Sequence, residues 1–100
     1  MGRVQLRITP SLASIFDASG SGWLVFEQEI EEGATIGDLF ATLALSYTDF
    51  SKVVFDTDKG KVSDEVMVVL NDSLLQSTDL RVVKLNDGDS IILLPVYTGG

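Results

Sequence analysis

The chain changes its hydrophobic period between its first strand-like segment and its middle, and that change decides what it can fold into. From Arg3 to Thr9 apolar and polar residues alternate, with Val4, Leu6 and Ile8 on one side and Arg3, Gln5 and Arg7 on the other. A period of two belongs to a strand with one covered face. Pro10 ends it. From Thr35 onward the spacing lengthens: Ile36, Leu39, Phe40, Leu43, Ala44 and Tyr47 fall on one face of a helix. Thr35 with Asp38 three residues later is a helix start close to a capping box. Between the two, Trp23 to Ile30 reads as a second strand, antiparallel to the first, and Gly33-Ala34 breaks it off.

The remaining segments follow from shorter signals. Ser11 to Phe16 is apolar enough to pack down, and Ala18-Ser19-Gly20-Ser21-Gly22 reads as the flexible part of the loop. Residues 49–64 carry the weakest pattern. Within them Asp58-Lys59-Gly60-Lys61 reads as a turn, and Val53-Val54-Phe55 as a short strand or a packed coil. The continuous apolar run Val66 to Leu70 suits an inner strand buried on both faces. After the turn Asn71-Asp72-Ser73, Leu74-Leu75 begins a short return strand. Asn86-Asp87-Gly88-Asp89 is a tight turn with glycine where a positive φ is expected. Ser90 to Val96 is the last strand. No repeat or linker divides the chain, so residues 1–100 form one domain, with 96–100 as a flexible tail. The element order is that of an α+β, β-grasp fold, a mixed sheet with one main helix across one face; the pattern, joined to the family resemblance of the chain's motifs, implies that the first and last strands are adjacent and parallel.

Composition closes many functional routes. Apolar residues make up 45% of the chain, which rules against disorder. There is no cysteine and no histidine, hence no disulfide framework, no usual zinc or iron–sulfur ligand set, no cysteine nucleophile and no Ser-His-Asp triad. Asp87 and Asp89 flank a turn glycine and read as turn residues, not an acid/base pair. A metal site and an enzyme are therefore not expected. The net charge of −8 argues against nucleic acid and favours a partner with a basic surface. No apolar run is long enough to span a membrane. The segment Met1-Gly2-Arg3-Val4 has no basic stretch leading into an apolar one, and Leu6 is not the Ser or Thr of a myristoylation signal. The expectation is a cytoplasmic protein with no membrane contact.

The given sequence finishes in Gly99-Gly100, just past the last strand. Glycine lacks a Cβ, so such a tail can enter a narrow channel. An unhindered Gly100 carboxylate can attack the α-phosphorus of ATP. Three segments sharpen this reading: Val68-Val69-Leu70-Asn71-Asp72-Ser73, Asn86-Asp87-Gly88-Asp89-Ser90-Ile91 and Pro95-Val96-Tyr97-Thr98-Gly99-Gly100. Together with the helix entry Gly33-Ala34-Thr35-Ile36-Gly37-Asp38-Leu39, they resemble the ThiS/MoaD family of ubiquitin-like sulfur carriers, most nearly its molybdopterin branch. The long loop from Pro10 to Gly22, the bulky Tyr97-Thr98, and Leu94-Pro95 in place of the family's usual Pro-Pro depart from the pattern.

The resemblance implies a carrier, not a catalyst, with no bound cofactor. A ubiquitin-activating-type adenylyltransferase spends ATP to adenylate Gly100, with Gly99 giving access. A sulfur donor converts the adenylate to a thiocarboxylate, and a large synthase subunit or another acceptor enzyme receives the sulfur. With no cysteine, the chain has no side chain for sulfur, which is consistent with this chemistry. If Ile91 and Leu93 face the helix, Ile92, Leu94 and Val96 form an exposed apolar patch on the other side of the sheet. This patch, with Pro95, Tyr97 and Thr98, is the expected partner-binding surface, and Arg3, Gln5 and Arg7 border it. The leading function is sulfur donation in molybdopterin synthesis. Thiamin, cysteine or tRNA thiolation and a ubiquitin-like protein modifier are alternatives within the family. An interaction module that is never activated is the alternative outside it.

Overall fold

The computed structural model describes residues 2–16, 22–56, 58–75 and 79–96. The two hydrophobic periods become the elements they predict. Strand β1 (Gly2–Ile8) buries Val4, Leu6 and Ile8 and leaves Arg3, Gln5 and Arg7 exposed. A 3₁₀ helix, Pro10–Phe16, then packs Leu12, Ala13, Ile15 and Phe16 inward, as the apolar character of that segment requires. Strand β2 (Leu24–Ile30) returns antiparallel to β1. The portion of the loop expected to be flexible lies outside the described residues, apart from Gly22.

Helix α1 (Ile36–Ser46) starts with a complete capping box. The Thr35 side chain accepts from the Asp38 N–H at 3.0 Å, and the Asp38 carboxylate accepts from the Thr35 N–H at 3.0 Å. Its inner face presents Ile36, Leu39, Phe40 and Leu43 to the sheet, with Ala44 and Tyr47 half-buried at the margin. A short helix, α2 (Thr48–Val53), and a two-stranded ribbon, β3 (Phe55–Asp56) with β4 (Lys61–Val62), fill the weakly patterned region. Sequence spacing missed α2, because six residues give barely one helical repeat. Of the two readings of Val53-Val54-Phe55, neither holds throughout: Val53 ends α2, Val54 caps it, and Phe55 opens β3. What holds this region is aromatic packing. The Phe40 ring meets Phe50 and Phe55 edge-on at 5.2 and 5.5 Å, and Phe16 meets Phe50 at 5.6 Å.

The remaining strands are β5 (Val66–Leu70), β6 (Ser73–Leu74) and β7 (Ser90–Pro95), in a five-stranded mixed sheet of order β2-β1-β7-β5-β6. Strands β1 and β7 are adjacent and parallel, the expected β-grasp arrangement. Asn71 and Asp72 both take positive φ, 48° and 72°, which is the backbone of a two-residue hairpin between β5 and β6. One expectation is corrected. Strand β5 is not buried on both faces: Val66 and Val68 are buried, whereas Met67 and Val69 are only half-buried. Helix α1 covers one face of the sheet, and no described element lies across the other. A 3₁₀ turn at Leu80–Val82, capped by Asp79, was not legible in the sequence; Leu80 from it is fully buried.

Candidate functional site

The open face of the sheet is built by alternation along β7. Ile91 and Leu93 are fully buried under α1, so Ile92 and Leu94 point to the other side, where they are half-buried. Cross-strand register then assembles a row across all five strands. Leu74 on β6 sits beside Val69 on β5, Val69 beside Ile92, Ile92 beside Arg7 on β1, and Arg7 beside Val25 on β2. The next row places Met67 beside Leu94. Neighbours at this spacing touch, so the expected patch is less exposed and broader than the last strand alone indicated. Sequence reading missed Val25, Met67, Val69 and Leu74. The signal for Met67 and Val69 lay in the apolar run itself, whose alternate members face outward once α1 is known to cover a single face.

The three polar β1 residues separate along the strand. Arg7 flanks Ile92, and its aliphatic stem belongs to the apolar end of the face. Gln5 pairs with Ser90, one step back. Arg3 does not border the patch: it lies at the opposite end, where its guanidinium approaches Glu27 and Glu29 at 3.6 and 3.7 Å. These pairs are well exposed and contribute little to stability. The face is thus divided into an apolar end near Val96 and a charged end near Arg3.

The end of β7 is shaped by proline. Leu93 offers its carbonyl to the Thr9 N–H, so Pro95, two residues on, also faces β1. The Thr9 carbonyl that a continued ladder would use accepts instead from the Leu12 N–H at 3.0 Å. Pro95 has no N–H to donate, so the parallel ladder stops there without a lost bond. On the other side Val96 N–H still bonds to the Glu65 carbonyl at 2.8 Å. Tyr97, Thr98, Gly99 and Gly100 lie outside the described residues.

The Asn and Asp-Gly-Asp segments are joined in space. Asn71 Nδ2 donates to Asp89 Oδ1 at 2.8 Å, and Asn71 Oδ1 accepts from the Ser90 N–H at 2.9 Å. Asp89 Oδ2 accepts from the Asn86 N–H, and Asp87 Oδ1 from the Arg3 N–H. Gly88 holds φ +89°. Both carboxylates therefore serve backbone donors and fix the register of β1, β5 and β7. Among the described residues no cluster of acidic side chains has metal-binding geometry, and no helix is long and apolar enough to cross a membrane. A lowered carboxyl occurs at Asp79, whose pKa falls to about 2 because Arg81 hydrogen-bonds it through its side chain and its backbone N–H. That pair is remote from the open face, on the turn beside Gly60.

Comparison with known proteins agrees with this geometry. No curated protein sequence matches the chain. Solved structures with the same fold include SAMP1 from Haloferax volcanii, with TM-score 0.71, 24% identity, and coverage of 99% of this chain and 100% of that one. A putative molybdopterin converting factor, subunit 1, from Pyrococcus furiosus gives TM-score 0.70 at 21% identity, over 95% and 98% of the two chains. CysO of Mycobacterium tuberculosis gives 0.65 at 22%, over 94% and 99%. The model of the ThiS family matches residues 14–100, and the chain belongs to that family of ubiquitin-like sulfur carriers and modifiers.

Proposed function

We propose that this protein carries sulfur as a thiocarboxylate on Gly100 and donates it in molybdopterin synthesis. The observation that carries the reading is the ThiS-family match running through Gly100, on a chain whose β7 leads to the tail from an apolar open face. An adenylyltransferase of the ubiquitin-activating type docks on Ile92, Leu94, Pro95, Val96 and Arg7 and takes the tail into its active site. A Gly100 carboxylate oxygen bonds to the α-phosphorus of ATP and pyrophosphate leaves. Hydrosulfide released by the donor then attacks the acyl carbon; the C–S bond forms, the bond from the acyl carbon to the phosphate oxygen breaks, and AMP leaves the thiocarboxylate on Gly100. The protein itself supplies position and a carboxylate; the catalytic groups belong to its partners. The likeness in fold to a molybdopterin converting factor subunit supports the molybdopterin branch. The likeness to SAMP1 favours a second reading, in which the same adenylate is passed to a lysine of another protein.

Intact mass spectrometry of the untagged protein from its native host separates these readings. A mass gain equal to one sulfur replacing one oxygen, localised to Gly100, is the expected result. An isopeptide between Gly100 and a lysine selects the modifier. Gly100 left unmodified after incubation with ATP, host extract and a sulfur source overturns the proposal in favour of an interaction module that is never activated.

A further inference from the structure

Strand β2 lies at the margin of the sheet and pairs with β1 along one side. In β1, the Gln5 N–H bonds to the Asp89 carbonyl and the Arg3 carbonyl accepts from Gly88, so odd-numbered residues face β7. Even-numbered residues therefore face β2, and their partners Leu24, Phe26, Gln28 and Ile30 use their backbone groups there. The N–H and C=O groups of Val25, Glu27 and Glu29 point outward, and among the described residues nothing pairs with them. The edge is seven residues long, with an unbroken register. It has no proline, bulge or lysine; among the devices by which proteins blunt such edges it carries only the charges of Glu27 and Glu29.

Beside this edge, on the helix side, a groove of about 490 Å³ runs between β2 and α1. Its lining includes Ile30, Ala34, Leu39 and Thr42, with Glu31 and Glu32 at the strand's end. A strand added to β2 would place alternate side chains over this groove and the others beside Glu27 and Glu29. The charge around it is one-sided. Glu27, Glu29, Glu31 and Glu32, with Asp38 across the groove, are balanced locally by Arg3 and, at the Val25 end, by Arg7, which leaves three negative charges around the edge. A second copy is disfavoured: antiparallel pairing of β2 with itself about Glu27 would set Glu27 against its own copy, and each chain carries a net charge of −8.

We propose that the outer edge of β2 receives an extended basic segment of a partner protein by strand addition. Val25, Glu27 and Glu29 supply the backbone hydrogen bonds. Glu27 and Glu29 pair with Lys or Arg at alternate positions, and small apolar side chains between them settle over Ala34 and Leu39. The glutamates that discourage self-pairing thereby select the partner. This edge meets the open-face row only at Val25, so docking here leaves Ile92, Leu94 and Val96 free.

The test is an NMR titration of the full chain with the peptide Lys-Val-Lys-Val-Lys-Val-Lys, followed by amide exchange. Saturable binding that slows exchange at Val25, Glu27 and Glu29, and that weakens with added salt, is expected. Glu27→Pro removes an outward N–H without touching the β1–β2 ladder and should abolish binding. The double variant E27K/E29K should weaken it at least tenfold, and it keeps the test intact if the proline variant fails to fold. Three results would overturn the proposal: equal binding of Glu-Val-Glu-Val-Glu-Val-Glu, shifts centred on Ile92 and Leu94, or no binding at millimolar peptide. Protection of the same amides by concentration-dependent dimerisation without peptide would also overturn it, in favour of a second copy.

Discussion

Two neighbouring residues on β7 should respond to substitution in opposite ways, because alternation puts them on opposite faces. Leu93 is fully buried under α1. Leu93→Ala removes apolar contacts and leaves a cavity, at a cost of about 3–5 kcal/mol. For a domain of this size each kcal/mol lowers the melting temperature by about 5 °C, so the expected fall is roughly 15–25 °C. Ile92 is half-buried on the open face, between Val69 and Arg7. Ile92→Glu forfeits about half of a buried side chain's transfer energy, on the order of 1 kcal/mol, and the new carboxylate lies beside the Arg7 guanidinium. Its melting temperature should fall by about 5 °C. Docking should suffer far more: a charge pressed into an apolar interface must be stripped of water, which should weaken binding to the adenylyltransferase at least tenfold. The paired assays are thermal melting and ATP–pyrophosphate exchange. If Ile92→Glu melts as low as Leu93→Ala, the outer face is core and not a surface. If Ile92→Glu folds and supports exchange at the parent rate, activation does not use this face.

Other outcomes follow from single features. Deleting Gly100 should abolish pyrophosphate exchange with the melting temperature unchanged, because among the described residues the sheet's last bond is Val96 to Glu65, well before Gly100; a marked loss of stability would refute this. Thr35→Ala dismantles the capping box and should cost about 1 kcal/mol, read as a melting temperature lower by about 5 °C. The Asp79 carboxyl should titrate at about 2 by NMR, below its ordinary 3.8. Because the folded state favours its charged form, the Asp79–Arg81 contribution to stability is full above about 4 and is lost as pH falls through about 2. Arg81→Leu should move the midpoint up toward 3.8, and an unmoved midpoint would reject Arg81 as the cause. Gly60→Ala should raise it too, since a methyl at φ +69° would strike both partners.

The parts of the fold legible in the sequence are those governed by local rules. The alternation in β1, the capped face of α1, the glycine of the Asp87–Asp89 turn and the outward side of β7 each follow from backbone geometry within a few residues. What required the tertiary structure depends on partners distant in the chain. Strand β5 looked buried on both faces because its composition is apolar throughout; only the placement of a single helix layer shows that Met67 and Val69 face outward. Helix α2 exists because Phe50 fits against Phe16 and Phe40, a contact that no local period reports. Arg3 and Arg7 are indistinguishable in an alternating strand. Register gives Arg3 to Glu27 and Glu29 and leaves Arg7 at the apolar end beside Ile92. The Asn and Asp-Gly-Asp segments could be recognised as a pattern, but the reason for their co-occurrence is the Asn71–Asp89 hydrogen bond across 18 residues. Local sequence sets which face of each element is apolar; which neighbour that face meets is decided by the packing of the whole chain, because burial belongs to no residue alone.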